Sequence, residues 1–119
     1  MGFYRDSEGF LMCDEVRVKD IFDEVSKNYS PFYLMSKKQL NANFRAYETA
    51  LEGLDKAFIG YAVKANNNLH VMRHLANLGC GAVLVSGNEL KTALMAGFKP
   101  DKMVFNGNGK QQEEIDLAV

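Results

Sequence analysis

From residue 31 onward, short apolar runs alternate with segments in which apolar residues recur every three or four positions. The runs lie at 31–35, 57–64, 82–85 and 103–105. A short apolar run followed by a segment of helical period predicts a buried strand and a helix packed on it. Repeated in this order, the two elements predict a parallel sheet covered by helices. We therefore predict four strand–helix units.

The first thirty residues follow a different pattern. Residues 9–18 alternate loosely between apolar and polar side chains, which predicts a strand or a hairpin. Apolar residues then recur at helical spacing from Val18 to Val25, which predicts a short amphipathic helix that ends near Asn28. This part of the chain is predicted to form a separate segment ahead of the strand–helix units.

Two of the predicted helices begin with a capping-box sequence. Ser36 precedes Gln39 by three residues, and Ser86 precedes Glu89 in the same way. After the first box, apolar residues recur at intervals of three and four from Leu40 to Leu54. We predict that this stripe belongs to the core rather than to a cofactor site.

Two α/β architectures fit the alternation of strands and helices. One is a doubly wound open sheet, and the other is part of a (β/α)8 barrel. A complete barrel needs about 250 residues, whereas this chain has 119. Four units that stop within a helix are expected to be about half of a barrel.

The composition excludes several classes of function. A formal net charge of -1 gives no basic surface for nucleic acid or anionic membranes, and no apolar run reaches the ~20 residues of a membrane span. The acidic first thirty residues argue against a signal or transit peptide. Cys13 and Cys80 are predicted to be buried free thiols of a reducing compartment rather than a disulfide.

One lysine stands at the end of the second apolar run. In a strand over 57–64, alternation would place Lys64 on one face with Ala62 and Gly60, and the larger side chains on the other. Very small neighbours leave space beside the amine. The carboxyl ends of parallel strands are also where such sheets bind ligands. Lys64 is therefore predicted to project into a ligand site.

A lysine in such a place has more than one available role. A neutral amine can form a Schiff base with an aldehyde, and partial desolvation favours the neutral form. The pattern alone leaves open that Lys64 only reaches water or clamps a phosphate. His70 and His74 lie four residues apart without a third ligand, so we predict no metal site. Gly107–Lys110 lacks the P-loop spacing and predicts a turn.

The sequence around Lys64 resembles a known cofactor motif. Tyr61-Ala62-Val63-Lys64-Ala65-Asn66 resembles the lysine motif of the pyridoxal-phosphate (PLP) decarboxylases that have an alanine-racemase-like barrel. Further stretches resemble the plant-like diaminopimelate decarboxylases within the ornithine/diaminopimelate/arginine decarboxylase family: Pro31–Leu34, Leu78–Leu90, Ala96–Phe98 and Phe105–Lys110. The likeness spans roughly residues 9–119, and the motifs occur in the same order as in the family.

The resemblance implies a fold and a domain organisation. Residues 31–119 would form the first four β/α units of a PLP-binding (β/α)8 TIM barrel. Residues 1–30 would form a strand and helix segment associated with the family's β domain. The full-length enzyme would be a homodimer that acts on a small amino acid, without nucleic acid or membrane partners.

The resemblance also implies a reaction and site residues. Lys64 would hold PLP covalently and Ala62 would contact it, while Glu89 and Asn106 are further candidates for the pocket. The implied reaction is decarboxylation of meso-2,6-diaminopimelate to L-lysine, the last step of lysine biosynthesis. The alternatives are another PLP amino-acid decarboxylase or racemase of this fold, and a non-catalytic protein that binds PLP or pairs with a full-length relative.

The chain departs from the family in two respects. Many relatives carry an acidic residue where this chain has Val83, three positions before Ser86. The family's phosphate loop, the acid facing the pyridine nitrogen, the substrate motifs and the partner-supplied cysteine all lie further along than Val119. We therefore expect these residues alone to be an N-terminal fragment that is poorly soluble or loosely folded, and inactive. The expected location is the plastid stroma in a plant or alga, and the cytoplasm elsewhere.

Overall fold

A computed structural model describes residues 2–119. The chain forms two compact units, the first ending at Thr49 and the second running from Ala50 to Val119. Among the described residues, no helix has both the length and the apolar character that crossing a membrane requires.

The first unit contains a small antiparallel sheet and two helices. Its elements are β1 (Phe3–Arg5), β2 (Leu11–Cys13), β3 (Val16–Arg17), α1 (Val18–Val25) and α2 (Lys37–Ala50). The strands pair in chain order, with Met12 of β2 opposite Arg17 of β3. The hairpin predicted within residues 9–18 is therefore confirmed, and so is the helix from Val18, which ends at Val25.

A carboxylate in the hairpin turn caps α2. Asp14 has a left-handed backbone (φ 55°), and its side chain accepts hydrogen bonds from the Ser36 hydroxyl and from the backbone N–H groups of Lys37 and Lys38. The bond from Ser36 is the main reason that the pKa of Asp14 is lowered. The Ser36 Oγ accepts from the Gln39 N–H at 2.9 Å. Only this half of the predicted capping box forms, because the Gln39 Oε1 accepts from the Gly2 N–H at 3.2 Å rather than from the Ser36 N–H.

Two predictions for the first half of the chain are wrong. Residues 31–35 form no strand, and Pro31 has no N–H with which to pair in a sheet. In the stripe predicted as core, Phe44 is buried, but Tyr47 and Leu54 are 65% and 62% exposed. Leu54 lies beyond the end of α2 at Ala50, so the helical period no longer applies to it.

The second unit is a parallel sheet with helical crossovers. The strands are β4 (Gly60–Ala62), β5 (Gly81–Leu84) and β6 (Met103–Phe105), and the helices are α3 (Leu69–Asn77), α4 (Gly87–Ala96) and α5 (Gln112–Ala118). Short 3-10 turns lie at Val63–Ala65 and Pro100–Lys102. The sheet order is β4-β5-β6, and both pairs are parallel. The predicted alternation of strands and helices is confirmed for these three strands.

The two faces of this sheet differ in side-chain size. Ala82 and Leu84 have no exposed surface and lie on the face that forms the core. The opposite face carries small or half-exposed residues, among them Gly60, Ala62 and Val83, which the register places side by side. The prediction that small residues share one face of the second apolar run is confirmed for Gly60 and Ala62.

Gly81 shows how closely the backbone packs at the start of β5. A Cβ added at Gly81 would lie 2.3 Å from the carbonyl oxygen of Lys102 and 2.8 Å from the Phe58 ring. A side chain at position 81 would clash with both groups, because both distances are well below van der Waals contact. Only glycine fits at this point of the strand.

Candidate functional site

Three loops meet at the carboxyl edge of the parallel sheet. They follow β4, β5 and β6 and cover residues 63–68, 85–86 and 106–111. Because the strands are parallel and adjacent, all three loops leave the same edge. This is the edge at which sheets of this kind bind ligands.

Lys64 lies in the first of these loops and not in a strand. The strand predicted over 57–64 is limited to Gly60–Ala62, and Lys64 is the middle residue of the 3-10 turn Val63–Ala65. Val63 is fully buried and the Asn66 N–H donates to its carbonyl at 3.1 Å, which closes the turn. The Lys64 side chain is exposed. Within residues 2–119, its Nζ has no hydrogen-bond or ion-pair partner.

Polar side chains hold this turn from both sides. The Tyr61 hydroxyl donates to the Asn66 carbonyl at 2.9 Å, and burial raises the pKa of Tyr61 above its ordinary value. Asn66 Oδ1 accepts from the Asn68 N–H at 2.9 Å, and Asn68 Oδ1 accepts from the His70 N–H at 3.0 Å. Asn68 is the N-cap of α3. The lysine turn is therefore bonded to the strand before it and the helix after it.

Ala62 occupies the last position of β4, immediately before the lysine turn. It is half-buried and pairs with Val83 of β5. Val83 presents an apolar side chain beside Ala62. The surface next to Lys64 is therefore small and apolar, without a carboxylate from this position.

The side-chain oxygens of Glu89 and Asn106 accept hydrogen bonds from backbone N–H groups nearby in the chain. Glu89 Oε2 accepts from the Val85 N–H at 2.8 Å, and the Glu89 N–H donates to Ser86 Oγ at 3.2 Å. Asn106 Oδ1 accepts from the Gly107 N–H at 2.7 Å. Both residues lie at the predicted edge: Glu89, in the first turn of α4, stabilises the loop after β5, and Asn106 stabilises the loop after β6.

The glycine-rich segment after β6 is a turn, as its spacing predicted. Lys110 folds back over it, and its Nζ donates to the Gly107 carbonyl at 2.7 Å. The same amine lies 5.2 Å from the centre of the Phe105 ring, a cation–π contact. Lys110 is thus committed to its own loop, which leaves Lys64 as the unpartnered amine at this edge.

Glu114 joins two of the loops, and its role was not predicted from the sequence. Its Oε1 accepts from the Gly87 N–H at 2.7 Å and its Oε2 accepts from the Gln111 N–H at 3.1 Å. These backbone bonds, that of Gly87 first, hold the pKa of Glu114 below its ordinary value. The available signal was the spacing of Gln111 and Glu114, a capping-box pattern that the structure confirms.

The residues at the edge fit a cofactor that carries an aldehyde. A primary amine without a partner is the group that bonds covalently to an aldehyde carbon, and the small face beside Ala62 leaves room for a planar ring. A cavity of about 260 Å³ lies elsewhere, on the core face of the sheet, and its lining residues, among them Leu84, Leu90 and Phe105, carry no ionisable side chain. That cavity offers no chemistry, so the lysine edge is the candidate site.

Residues 37–119 match a family model described as the pyridoxal binding domain of pyridoxal-dependent decarboxylases. Over 117 residues, the chain is 56% identical to a probable chloroplastic diaminopimelate decarboxylase of rice, and the match covers 98% of this chain and 23% of the rice protein.

Solved structures of diaminopimelate decarboxylases share the fold. The enzyme of Methanocaldococcus jannaschii has a TM-score of 0.86 and 36% identity, covering 99% of this chain and 27% of that one. The enzyme of Helicobacter pylori, complexed with L-lysine, has a TM-score of 0.76 and 40% identity, covering 84% of this chain and 24% of that one. This chain therefore spans about a quarter of its relatives' length.

Proposed function

Because the chain belongs to the pyridoxal-dependent decarboxylase family and has the fold of the N-terminal part of its PLP-binding barrel, we propose that Lys64 is the residue that holds PLP covalently. The observation that carries this proposal is the amine of Lys64, which is exposed and has no partner within residues 2–119. It lies at the carboxyl edge of the parallel sheet, directly after a strand of small residues. Among the residues that the structure describes, no other feature of this edge combines a reactive group with space beside it.

The neighbours of Lys64 would each have a separate task. Ala62 would leave room beside the amine and contact the cofactor. Tyr61 would fix the turn through its bond to the Asn66 carbonyl, and thereby the direction from which Lys64 reaches the site. PLP, when bound, supplies an electron sink for the bond that breaks at the substrate's α-carbon. The protein's contribution from this chain is binding and orientation.

We propose meso-2,6-diaminopimelate as the substrate of the protein in which this chain functions, with L-lysine and CO2 as products. The support is the 56% identity to the rice relative and the L-lysine complex of the Helicobacter pylori enzyme. Location in the plastid is proposed because the rice relative is described as chloroplastic. Assembly as a homodimer, and the assignment of residues 1–30 and 31–119 to two domains, are proposed from the family resemblance.

Trapping of the cofactor tests the role of Lys64. The chain is incubated with PLP, reduced with borohydride, digested and mapped by mass spectrometry. We expect the pyridoxyl label on the peptide that contains Lys64, and its loss in K64A. K91A is the matched control, because Lys91 is an exposed lysine of α4 outside the three loops. Label spread evenly over the exposed lysines, with K64A unchanged, would refute the assignment.

Turnover is measured in a chimera. These residues replace the matched 117-residue part of the rice relative, and CO2 release is followed with meso-diaminopimelate, ornithine and arginine. We expect activity with diaminopimelate, its loss in the K64A chimera, and no turnover by the 119-residue chain alone. An active K64A chimera would contradict the role of Lys64. A preference for ornithine or arginine would contradict the substrate.

A further inference from the structure

We propose that Glu114 is a positioning residue of the PLP site, because its carboxylate ties the loop after β5 to the loop after β6. The inference deepens the proposed function and depends on it. The existence of the bridge does not depend on the proposed function, since it involves only hydrogen bonds within the second unit.

The bridge uses both oxygens of one carboxylate. Oε1 accepts from the N–H of Gly87, the first residue of α4, and Oε2 accepts from the N–H of Gln111, the N-cap of α5. Bonds from N–H groups to an ionised acceptor are stronger than neutral ones. A negative charge at a helix N-terminus is also favoured by the helix dipole. Glu114 therefore satisfies donors of two helices at once.

The close approach of the two loops depends on a glycine. Gly87 is buried, and a Cβ added there would lie 3.3 Å from Glu114 Cγ and 3.6 Å from a methyl group of Leu117. The first of these distances is tighter than most real contacts of a Cβ. A side chain at position 87 would push Glu114 away from the Gly87 N–H, so Gly87 and Glu114 act as a matched pair.

The bridge fixes the middle wall of the candidate site. β5 is the central strand, with β4 and its lysine turn on one side and β6 on the other. Ala62, next to the lysine turn, pairs with Val83 three positions before Ser86. The loop that Glu114 holds therefore begins beside the small surface next to Lys64. Loosening it would widen the site without removing a group that touches the cofactor.

Hydrogen exchange tests the bridge directly. In E114Q the side chain keeps one acceptor oxygen for two donors, so we expect the Gly87 or the Gln111 amide to exchange about tenfold faster. In E114A both amides should do so. E113Q is the matched control, because it removes the same charge from the same helical turn, while Glu113 makes no bond to either amide. Equal exchange in E114Q and the unsubstituted chain overturns the inference.

The cofactor readout tests the positioning role. We expect the PLP concentration that half-labels Lys64 to rise three- to tenfold in E114Q, with a shifted absorbance maximum of the bound cofactor, and to stay unchanged in E113Q. Faster exchange with unchanged labelling and absorbance overturns the inference. An unlabelled Lys64 in the unsubstituted chain refutes the proposed function, and with it the site role of Glu114, while exchange still reports whether the bridge exists.

Discussion

Replacing Tyr61 by phenylalanine removes the hydroxyl group that donates a hydrogen bond to the lysine turn. The ring stays in place on the core face of β4, and only the bond from the hydroxyl to the Asn66 carbonyl is lost. The fold should therefore be retained. The turn Val63–Ala65 keeps its closing bond from the Asn66 N–H to Val63, but the second tie between the strand and the turn is gone.

The size of the effect follows from the type of bond. A neutral hydrogen bond of this kind contributes about 0.5–1.5 kcal/mol net. Asn66 is half-buried, so water can satisfy its carbonyl in part, and a value of about 1 kcal/mol is expected. This is an upper limit to what the turn can lose in preorganisation. Since 1.36 kcal/mol corresponds to a factor of ten, PLP binding at Lys64 should weaken by up to about fivefold.

The assay is borohydride trapping over a range of PLP concentrations, which gives the concentration at which half of Lys64 is labelled. The far-UV circular dichroism of each variant checks that it is folded. Y47F is the matched control, because Tyr47 is 65% exposed and lies in α2, outside the second unit. Equal half-labelling concentrations for Y61F and Y47F would refute the role of the bond. A hundredfold loss in Y61F would also refute it, because one neutral hydrogen bond cannot supply that much.

Three further outcomes are expected. Leu84→Ala should lower the free energy of unfolding by about 2–5 kcal/mol, measured in urea, because Leu84 is fully buried and already lines a cavity; a loss below ~1 kcal/mol would contradict its place in the core. Burial raises the pKa of the Cys80 thiol, so iodoacetamide should modify Cys80 slowly at pH 8 until urea unfolds the chain. The Gly87 and Gln111 N–H groups, with Lys110, lower the pKa of Glu114 from 4.5, so the stability that ionised Glu114 contributes is present above about pH 4.5 and is lost as the pH falls through its folded-state pKa. The difference in urea midpoint between the unsubstituted chain and E114Q should therefore shrink as the pH is lowered. A difference that stays constant with pH would refute the bridge as an ionised acceptor.

The periodicity of the sequence was enough to predict three strands and their helices, but not the ends of the first one. The apolar run 57–64 continues past Ala62 in the sequence, whereas the strand stops there. What stops it is a set of hydrogen bonds made by Tyr61 and by Asn66. An apolar pattern reports which side chains avoid water, and it contains no information on where the backbone turns.

The errors in the first half have related causes. The run at 31–35 has the composition of a strand, but the proline at its start cannot donate to a neighbouring strand and none pairs with it. Tyr47 continues the stripe of α2 by spacing alone, and its exposure depends on what packs against the helix, which the spacing does not encode.

The part of the candidate site that lies at the end of a strand was predicted from the sequence. The place of Lys64 followed from a single lysine after an apolar run. Glu114 could not be found in this way, because its partner Gly87 lies 27 residues earlier and the two meet only through the packing of α4 and α5. Within α5, the capping-box spacing pointed to one of its two bonds and gave no sign of the other.

The order of strands in the second unit has a consequence for how the site assembles during synthesis. Each strand lies next to its neighbour in the chain, so a ribosome releases the strands in the order in which they pair. Loop closure is short at every step, which favours fast pairing, and no earlier pair has to open. The carboxylate of Glu114, however, belongs to the last helix. We therefore expect the sheet to form first, and the loop beside Lys64 to become rigid only when α5 has emerged and docked.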